Sequence, residues 1–303
     1  MIFGGIEAGG TKIICGTGEY ENGKLEIRES AKFPTERPEI VIPRLTEWFR
    51  EHPVAALGVA SFGPLDLNRR SPTYGFVMDT PKDGWQHVDF LSPFRDAFHI
   101  PVAFDTDVNG AALGEAVYGA GKGCGVVVYM TVGTGIGVGI YQEGKLLHGL
   151  IHPEAGHMRV VRRGDDAFEG TCGAHPRKGE AVCLEGYASG PAIEKRWGEK
   201  GENLMDREEV WDLEAWYLSQ GVTNLVLMYS PEKIILGGGV MHRRQLFPMI
   251  RDGVREYVGG YVRSPMLEEK IGDYIVPPLL EDQAGLTGAI ELGRIEWERQ
   301  QGK

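Results

Sequence analysis

The chain has 303 residues, 42% hydrophobic and 25% charged, a composition typical of a globular protein long enough for two domains. Lys and Arg number 32 against 43 Asp and Glu, and the net charge of −11 argues against binding to a nucleic-acid backbone. No apolar run approaches the roughly 18–20 residues of a membrane span, no secretory leader is evident, and four cysteines do not suggest a disulfide scaffold. We therefore expect a cytoplasmic protein that binds neither nucleic acid nor membrane.

The first part of the chain predicts strands that alternate with helices. Residues 3–14 predict two short strands joined by a glycine turn, and residues 24–33 predict a third strand. Apolar residues at helical spacing predict a helix over 38–50, and a compact apolar run predicts a strand over 54–60. A long irregular segment, 65–86, follows, and segments of this kind in a compact domain are often functional.

The next segment combines a short strand with a helix and places polar side chains between them. The strand is predicted over 102–104, and the helix-type run ends at Glu115, with Asp105, Asp107 and Asn109 between. Open α/β sheets bind ligands at this kind of position, where a strand ends and a helix begins. Asp107 is also placed to cap the helix, and the segment alone favours that structural role.

The same order of strands and helices restarts after Glu115. Residues 126–131 and 136–141 predict a hairpin around a second glycine turn, and the segment 162–185 is predicted to be irregular. Because each half begins with a strand–turn–strand unit, we predict two related α/β domains hinged near residue 112. The remaining predicted strands are 159–161, 233–236 and 274–276, and the remaining helices are 89–98, 190–197, 208–229, 243–258 and 283–299.

Three glycine clusters lie beside predicted strands, where a backbone without side chains can approach a phosphate closely. The first cluster is not a Walker P-loop, because Thr11 precedes Lys12 and a strand follows. Each cluster alone is more often a plain turn, but three in this order predict a polyphosphate clamp with room for adenine or ribose. The family resemblance given below implies that ATP is bound by Gly9, Gly10, Thr11, Lys12, Thr131, Gly133, Thr134, Gly135, Gly190, Pro191, Gly237, Gly238 and Gly239.

Four residues with nitrogen or sulfur ligands predict a metal site. His157, Cys172, His175 and Cys183 supply enough ligands for a closed tetrahedral Zn²⁺ site. In a cytoplasmic chain, such a cluster favours a metal over a disulfide, and the alternative is unrelated cysteines with surface histidines. Cys15 and Cys124 are predicted to be core residues. Surface or structural roles are predicted for the remaining histidines, His52, His87, His99, His148, His152 and His242.

Together these segments resemble the ROK family of sugar kinases, within the actin–hexokinase–chaperone ATPase superfamily, and most of all its bacterial fructokinase branch. The resemblance implies two ribonuclease-H-like (actin-like ATPase) α/β domains with an interdomain active-site cleft. It implies a first domain over 1–112, completed by a C-terminal helix at about 285–300, and a second over 113–284 with a zinc-binding loop at 157–185. The segments that carry it are residues 5–12, 61–64, 80–85, 106–109, 131–137, 152–157, 183–186 and 235–240.

The resemblance implies ATP-dependent phosphorylation of fructose to fructose 6-phosphate. Asp107 matches the family's catalytic Asp, which as a general base would accept the proton of the sugar hydroxyl. Family contacts with the hexose fall on Asn109, Glu154, His157 and Glu185. Mg²⁺ would accompany ATP, and the family is often dimeric, so a homodimer is expected. ROK kinases commonly carry a structural zinc at this loop, most of them with three Cys and one His.

Two departures from the common family pattern favour fructose over glucose as the substrate. Glu7 stands where many ROK kinases have Asp, and Thr106 where they usually have Asn; the fructokinase branch tolerates both. The alternatives are a glucokinase, mannokinase or N-acetylmannosamine kinase, a ROK transcriptional repressor and a sugar-binding pseudokinase. The position of the first glycine turn and the net charge disfavour the repressor. Asp107 and both phosphate turns disfavour the pseudokinase.

Overall fold

The computed structural model describes residues 1–176 and 179–302, so that Arg177 and Lys178 of the predicted zinc loop lie outside the described residues. The strands are β1 (Ile2–Ala8), β2 (Lys12–Glu21), β3 (Lys24–Pro34), β4 (Leu57–Ser61), β5 (Phe76–Val77), β6 (Val88–Asp89), β7 (Val102–Thr106), β8 (Val126–Val132), β9 (Ile136–Gln142), β10 (Lys145–Leu146), β11 (Arg159–Val161), β12 (Ala181–Cys183), β13 (Lys233–Gly237) and β14 (Ile275–Val276).

The helices follow the predicted order, and short 3₁₀ turns supplement them. The α-helices are α1 (Pro38–Glu51), α2 (Ser92–Phe98), α3 (Asp107–Tyr118), α4 (Leu184–Ala188), α5 (Gly190–Trp197), α6 (Glu208–Tyr229), α7 (Leu246–Val258), α8 (Pro265–Glu268), α9 (Ile271–Tyr274) and α10 (Ala284–Gln300). None of the helices in the described part of the chain has both the length and the apolar character needed to cross a membrane.

The first sheet has the strand order β3-β2-β1-β4-β7. β1 and β2 form an antiparallel hairpin, whereas β4 lies parallel to both β1 and β7. Every residue of β4 and β7 is buried, as expected for parallel strands covered on both faces. Because β1, β4 and β7 run parallel, the polar residues at the ends of β1 and β7 lie at the same end of the sheet. Open α/β sheets bind ligands at this end.

The C-terminal helix α10 packs closely on this sheet and on α3. Leu286 and Ile290 of α10 share an apolar cluster with Phe3 of β1. Gly288 permits the approach to α3, because a Cβ atom there would lie 1.6 Å from the carbonyl oxygen of Gly110. The two helices can approach this closely only because small residues line the contact.

The second sheet has the strand order β10-β9-β8-β13-β14, with β13 parallel to β8 and β14. The 22-residue helix α6 is buried along most of its length, and the hydroxyl of Ser219 is 3.4 Å from the carbonyl oxygen of Ile250 in α7. Strands β11 and β12 form a separate, two-stranded antiparallel ribbon. The ribbon carries one of the predicted zinc ligands, Cys183, at the end of β12.

The described chain forms two compact units. The first comprises Met1–Gly123, Gly139–Pro153 and the segment from Leu279 to the C-terminus, and the second comprises Cys124–Val138 and Glu154–Pro278. Each unit mixes helices with strands, as the predicted α/β class requires. The boundary predicted between residues 112 and 113 falls inside α3, which lies wholly in the first unit.

The structure corrects several local predictions. The segment 65–86, predicted to be irregular, contains β5, and the helix predicted over 89–98 is shorter, because Asp89 lies in β6 and α2 begins at Ser92. The segment 162–185, predicted to be irregular, contains β12 and the start of α4, and β12 is ordered by antiparallel pairing with β11 across a long connection. The last strand, predicted over 274–276, is shorter, because Tyr274 ends α9 and only Ile275 and Val276 pair with β13. Strands β5, β12 and β14 have only two or three residues each, which is too few to produce a periodic sequence pattern.

Candidate active site

The junction of β7 and α3 holds the predicted catalytic residue. Thr106 caps the helix, because its hydroxyl oxygen accepts a hydrogen bond from the backbone N–H of Asn109 at 3.1 Å. The expectation that Asp107 caps α3 is therefore wrong, and Thr serves in the position where the family usually has Asn. Asp107 is the first helical residue, is half-buried, and accepts from the N–H of Val108 at 2.9 Å. A carboxylate at this position could accept the proton of a substrate hydroxyl, as a general base does.

Asp105 connects this junction to two other side chains. Its Oδ1 accepts hydrogen bonds from the N–H of Thr106 and the Nδ2 of Asn109, both at 2.7 Å. Its Oδ2 lies 2.9 Å from the Nε2 of His148. Asn109 is fully buried, and its Oδ1 has no hydrogen-bond partner among the described residues. Buried polar atoms are almost always satisfied by protein groups, ordered water or a ligand, so this oxygen can accept one further hydrogen bond.

His148 was missed by sequence reasoning as a residue of this site. Its side chain is 37% exposed, which agrees with a surface position, but its Nε2 faces the buried Asp105. The hydrogen bond to Asp105 raises the pKa of His148, burial opposes that shift, and the carbonyl of Leu146 supports it. No sequence pattern indicates this pair, because the two residues are far apart in the chain and belong to different elements.

Glu7, near the end of β1, is an incompletely satisfied acid of the first unit. Its Oε2 is buried and has no hydrogen-bond partner among the described residues, and a backbone N–H at Leu286 serves the carboxyl group. Burial, followed by the negative charges of Asp107 and Asp282, raises the pKa of Glu7 to about 7, although Lys12 opposes the shift. Like charges at one site produce such a shift, and a bound cation would reverse it.

Glu7 is one methylene longer than the Asp that many ROK kinases have at this position, and Gly285 leaves space for it. A Cβ atom at Gly285, in the first turn of α10, would lie 2.4 Å from the carboxyl carbon of Glu7. The glycine therefore makes room for the longer acid.

The first glycine turn joins β1 to β2 and is held by three hydrogen bonds. The N–H of Gly9 donates to the carbonyl oxygen of Lys12 at 2.9 Å. The hydroxyl of Thr35 donates to the carbonyl of Gly9, and the Nζ of Lys82 donates to the carbonyl of Gly10, both at 2.7 Å. Gly10 and Thr11 remain exposed. Their backbone is thus fixed in position while staying accessible to a ligand.

In the second unit, the structure brings the remaining predicted ATP-binding segments together. The N–H of Gly190 donates to the carbonyl of Gly133 at 2.8 Å, so α5 begins beside the second glycine turn. Gly238 has φ of +89°, and a Cβ atom there would lie 2.4 Å from the carbonyl oxygen of Val132. Only glycine fits this conformation and this spacing. The second turn, the start of α5 and the third glycine cluster are therefore neighbours.

Three of the predicted sugar-binding residues lie in the second unit. The Oε2 of Glu185 accepts from the N–H of Ile136 at 2.9 Å, and its Oε1 lies 3.8 Å from the Nε2 of His157. Glu154 is exposed and begins the short turn whose last residue is His157. Asn109, the fourth, lies in the first unit.

The four predicted zinc ligands come together in the second unit. One ligand atom from each of His157, Cys172, His175 and Cys183 lies within 4.8 Å of the others. The Nδ1 of His157 is 3.5 Å from the Cys183 sulfur and 3.8 Å from the Cys172 sulfur, which is 3.3 Å from the Nδ1 of His175. Zinc bonds of about 2.0–2.3 Å in a tetrahedron separate ligand atoms by roughly 3.3–3.8 Å, and these distances match.

His157 joins this cluster to the predicted sugar residues. Its Nδ1 faces the two sulfurs, while its Nε2 faces Glu185. The two roles predicted for His157 therefore use different ring nitrogens and are compatible.

Comparison with known proteins identifies the group to which this chain is similar. A model of the ROK family matches residues 3–295. A fructokinase from Pediococcus pentosaceus is 43% identical over 269 residues, 89% of this chain and 91% of that protein. A fructokinase from Zymomonas mobilis subsp. mobilis is 42% identical over 301 residues, 96% of each chain.

A solved structure confirms the predicted fold class. The ROK family glucokinase from Streptomyces griseus, in complex with glucose and AMPPNP, is similar with a TM-score of 0.75 at 26% identity. The similarity covers 97% of this chain and 100% of that one.

Proposed function

The chain belongs to the ROK family, and from this premise we propose that it is an ATP-dependent fructokinase that converts D-fructose to fructose 6-phosphate. The observation that carries the proposal is identity of 42–43% with fructokinases over nearly the whole length of both chains. The arrangement of Asp107 and the neighbouring unsatisfied amide of Asn109 supports a reaction on a polar, hydroxyl-rich substrate.

Asp107 is proposed as the general base. The sugar hydroxyl oxygen forms a bond to the γ-phosphorus of ATP while the bond from that phosphorus to the β-phosphate oxygen breaks, and ADP leaves. The hydroxyl proton passes to the carboxylate of Asp107 at the start of α3. The Oδ1 of Asn109 is proposed to accept a hydrogen bond from a sugar hydroxyl, with Glu154, His157 and Glu185 as further sugar contacts.

Glu7 is proposed to hold the Mg²⁺ that accompanies ATP. Its buried, unpaired Oε2 and its raised pKa fit a carboxylate that awaits a cation. Magnesium supplies positive charge against the β- and γ-phosphates. The three glycine clusters, with Lys12 and the start of α5, are proposed to bind the phosphates and the nucleoside.

A structural zinc ion is proposed at His157, Cys172, His175 and Cys183, whose spacing matches a tetrahedral site. It would supply no chemistry to the reaction; its ligands would fix the segment before α4 and orient His157 beside Glu185. Thiolate ligands and the use of ATP favour the cytoplasm, where thiols stay reduced. The family resemblance favours a homodimer, which light scattering would reveal as about twice the chain mass of 33.3 kDa.

The proposed function is tested by product analysis. The purified protein, incubated with fructose, ATP and Mg²⁺, is expected to form fructose 6-phosphate and ADP in equal amounts. Formation of ADP without phosphorylated fructose would contradict the proposal.

A further inference from the structure

His148, Asp105 and Asn109 form a continuous chain of hydrogen bonds that ends at an unsatisfied oxygen. The Nε2 of His148 lies 2.9 Å from the Oδ2 of Asp105, and the Oδ1 of Asp105 accepts from the Nδ2 of Asn109 at 2.7 Å. The chain ends at the Oδ1 of Asn109, which is buried and has no partner among the described residues. Its three members come from the segment after β10, the end of β7 and the first turn of α3.

The protonated form of His148 fits this position best. One ring nitrogen meets the carboxylate of Asp105, and the carbonyl of Leu146 accepts a further hydrogen bond from the ring. Both neighbours are acceptors, and only the imidazolium offers two donors. The Nε2 is also 3.3 Å from the Nδ2 of Asn109, but the amide nitrogen is a donor and a protonated Nε2 has no lone pair with which to accept from it. Besides Asp105, the charged group that acts on His148 is Arg69, which opposes protonation.

Asp105 fixes the orientation of the Asn109 amide. An ionised carboxylate only accepts hydrogen bonds, so the nitrogen of the amide must face it and the oxygen must face away. That oxygen is the acceptor proposed for a sugar hydroxyl. If His148 no longer donated to Asp105, the Oδ2 of this buried carboxylate would lose its partner and the orientation of the amide would be less well determined.

We propose that His148 is a positioning residue for sugar binding, which acts through Asp105 to hold the Asn109 oxygen toward a hydroxyl of the substrate. The inference rests on the proposed function, because Asn109 is taken as a sugar contact. It assigns no role to His148 in phosphoryl transfer, so its effect falls on the Michaelis constant for the sugar and not on turnover.

His52 provides a matched control within the same chain. Its Nδ1 lies 2.7 Å from the carbonyl oxygen of Trp48 and its Nε2 lies 3.0 Å from the Oε2 of Glu29, so it too sits between a carbonyl and a carboxylate. Glu29 is 65% exposed and lies on β3, at the far edge of the first sheet from β7. A change that merely removes a histidine–carboxylate pair should therefore behave alike at both positions.

The test is steady-state kinetics of the full chain with fructose and ATP varied separately. His148→Ala is expected to raise KM for fructose about tenfold, the scale of one partly exposed charge-assisted hydrogen bond, with kcat and KM for ATP within about twofold of the wild type. His148→Gln, which keeps a neutral donor, should restore part of the loss. His52→Ala should leave all three constants unchanged.

Two further readouts separate positioning from a general structural role. In the Asn109→Ala background, His148→Ala should add little to KM, because the effect passes through Asn109. In the wild type, KM for fructose should rise as the pH rises through the raised pKa of His148, and this dependence should be absent in His148→Gln. These pH data need only the wild type and the conservative variant, so they remain decisive if His148→Ala folds poorly.

The outcomes are distinguishable from failure of the proposed function. A wild type that phosphorylates no sugar contradicts the proposed function itself. An active wild type in which His148→Ala leaves the sugar KM unchanged, or in which the effects of His148 and Asn109 are additive, overturns the role of His148 alone. A fall in kcat equal to the rise in KM would likewise overturn it.

Discussion

Two glutamates enclosed in the first unit have opposite surroundings. Glu296 on α10 accepts hydrogen bonds from Arg69, Arg299 and Gln300, and these partners outweigh the effect of burial and lower its pKa to about 2. Glu7 has one oxygen with no hydrogen-bond partner in the described part of the chain, and burial together with Asp107 and Asp282 raises its pKa to about 7. The first acid is satisfied by the fold, and the second is the one proposed to hold Mg²⁺. Partners, and not burial alone, separate a structural acid from a functional one.

The largest expected effect is that of replacing Asp107, whose negative charge contributes to the raised pKa of Glu7. Asp107→Asn removes the proposed base and is expected to lower kcat by about 10²–10⁴-fold while sugar binding survives. Kinetics combined with calorimetric titration of fructose measure both quantities. Asp83→Asn, at an acid that is 90% exposed, is the control and should keep full activity. Retained turnover in Asp107→Asn would remove this residue from the catalytic role.

Glu7→Gln is expected to separate activity from stability. Loss of a magnesium-holding carboxylate should lower kcat/KM for MgATP by about 100-fold. Because the pKa of Glu7 is raised above 4.5, the carboxylate destabilises the folded state increasingly as the pH rises from about 4.5 to 7. The variant should therefore be at least as stable as the wild type at pH 8, by thermal unfolding. A less stable variant with normal MgATP kinetics would indicate that Glu7 has a structural role, as Glu296 does.

The zinc proposal extends the comparison to the second unit. Elemental analysis is expected to find about one zinc per chain, and Cys172→Ser should lose the metal and lower the melting temperature. Cys124→Ser, outside the four-residue cluster, should keep the metal. Equal zinc content in the two variants would contradict the site.

The smallest expected effect is that of replacing Glu296, the acid that accepts hydrogen bonds from three side chains. Glu296→Gln should destabilise the fold by about 1–3 kcal/mol without changing kcat, because it removes charge-assisted bonds to Arg69 and Arg299. The pKa of Glu296 is lowered, so its contribution is present above about pH 4.5 and is lost as the pH falls toward 2. Chemical denaturation at pH 7 and pH 3 should show a smaller difference between variant and wild type at pH 3. An equal difference in unfolding free energy at pH 7 and pH 3 would contradict the stabilising role of the ionised Glu296.

Local sequence patterns predicted the parts of the molecule that depend on neighbouring residues. The strand–glycine turn–strand units, the long helix α6 and the α/β class follow from periodicity and turn residues, and the ligand types of the cysteine–histidine cluster indicated a metal before their positions were known. The cap at Thr106 was assigned to its neighbour Asp107, because both residue types cap helices.

Properties that depend on distant contacts were not accessible from the sequence. The link from His148 to Asp105 and the raised pKa of Glu7 arise when β1, β7, α10 and the segment after β10 meet. The room for Glu7 comes from Gly285, on the last helix. Such features are long-range, and no local spacing encodes them.

The most direct test of the central claim is the ratio of kcat/KM values for fructose, glucose, mannose and N-acetylmannosamine, measured by coupled detection of ADP with saturating MgATP. A fructokinase should show the highest value for fructose, and Asp107→Asn should lower kcat by about 10²–10⁴-fold for every sugar that the wild type phosphorylates. Efficient phosphorylation of glucose, mannose or N-acetylmannosamine with no turnover of fructose would contradict the assignment.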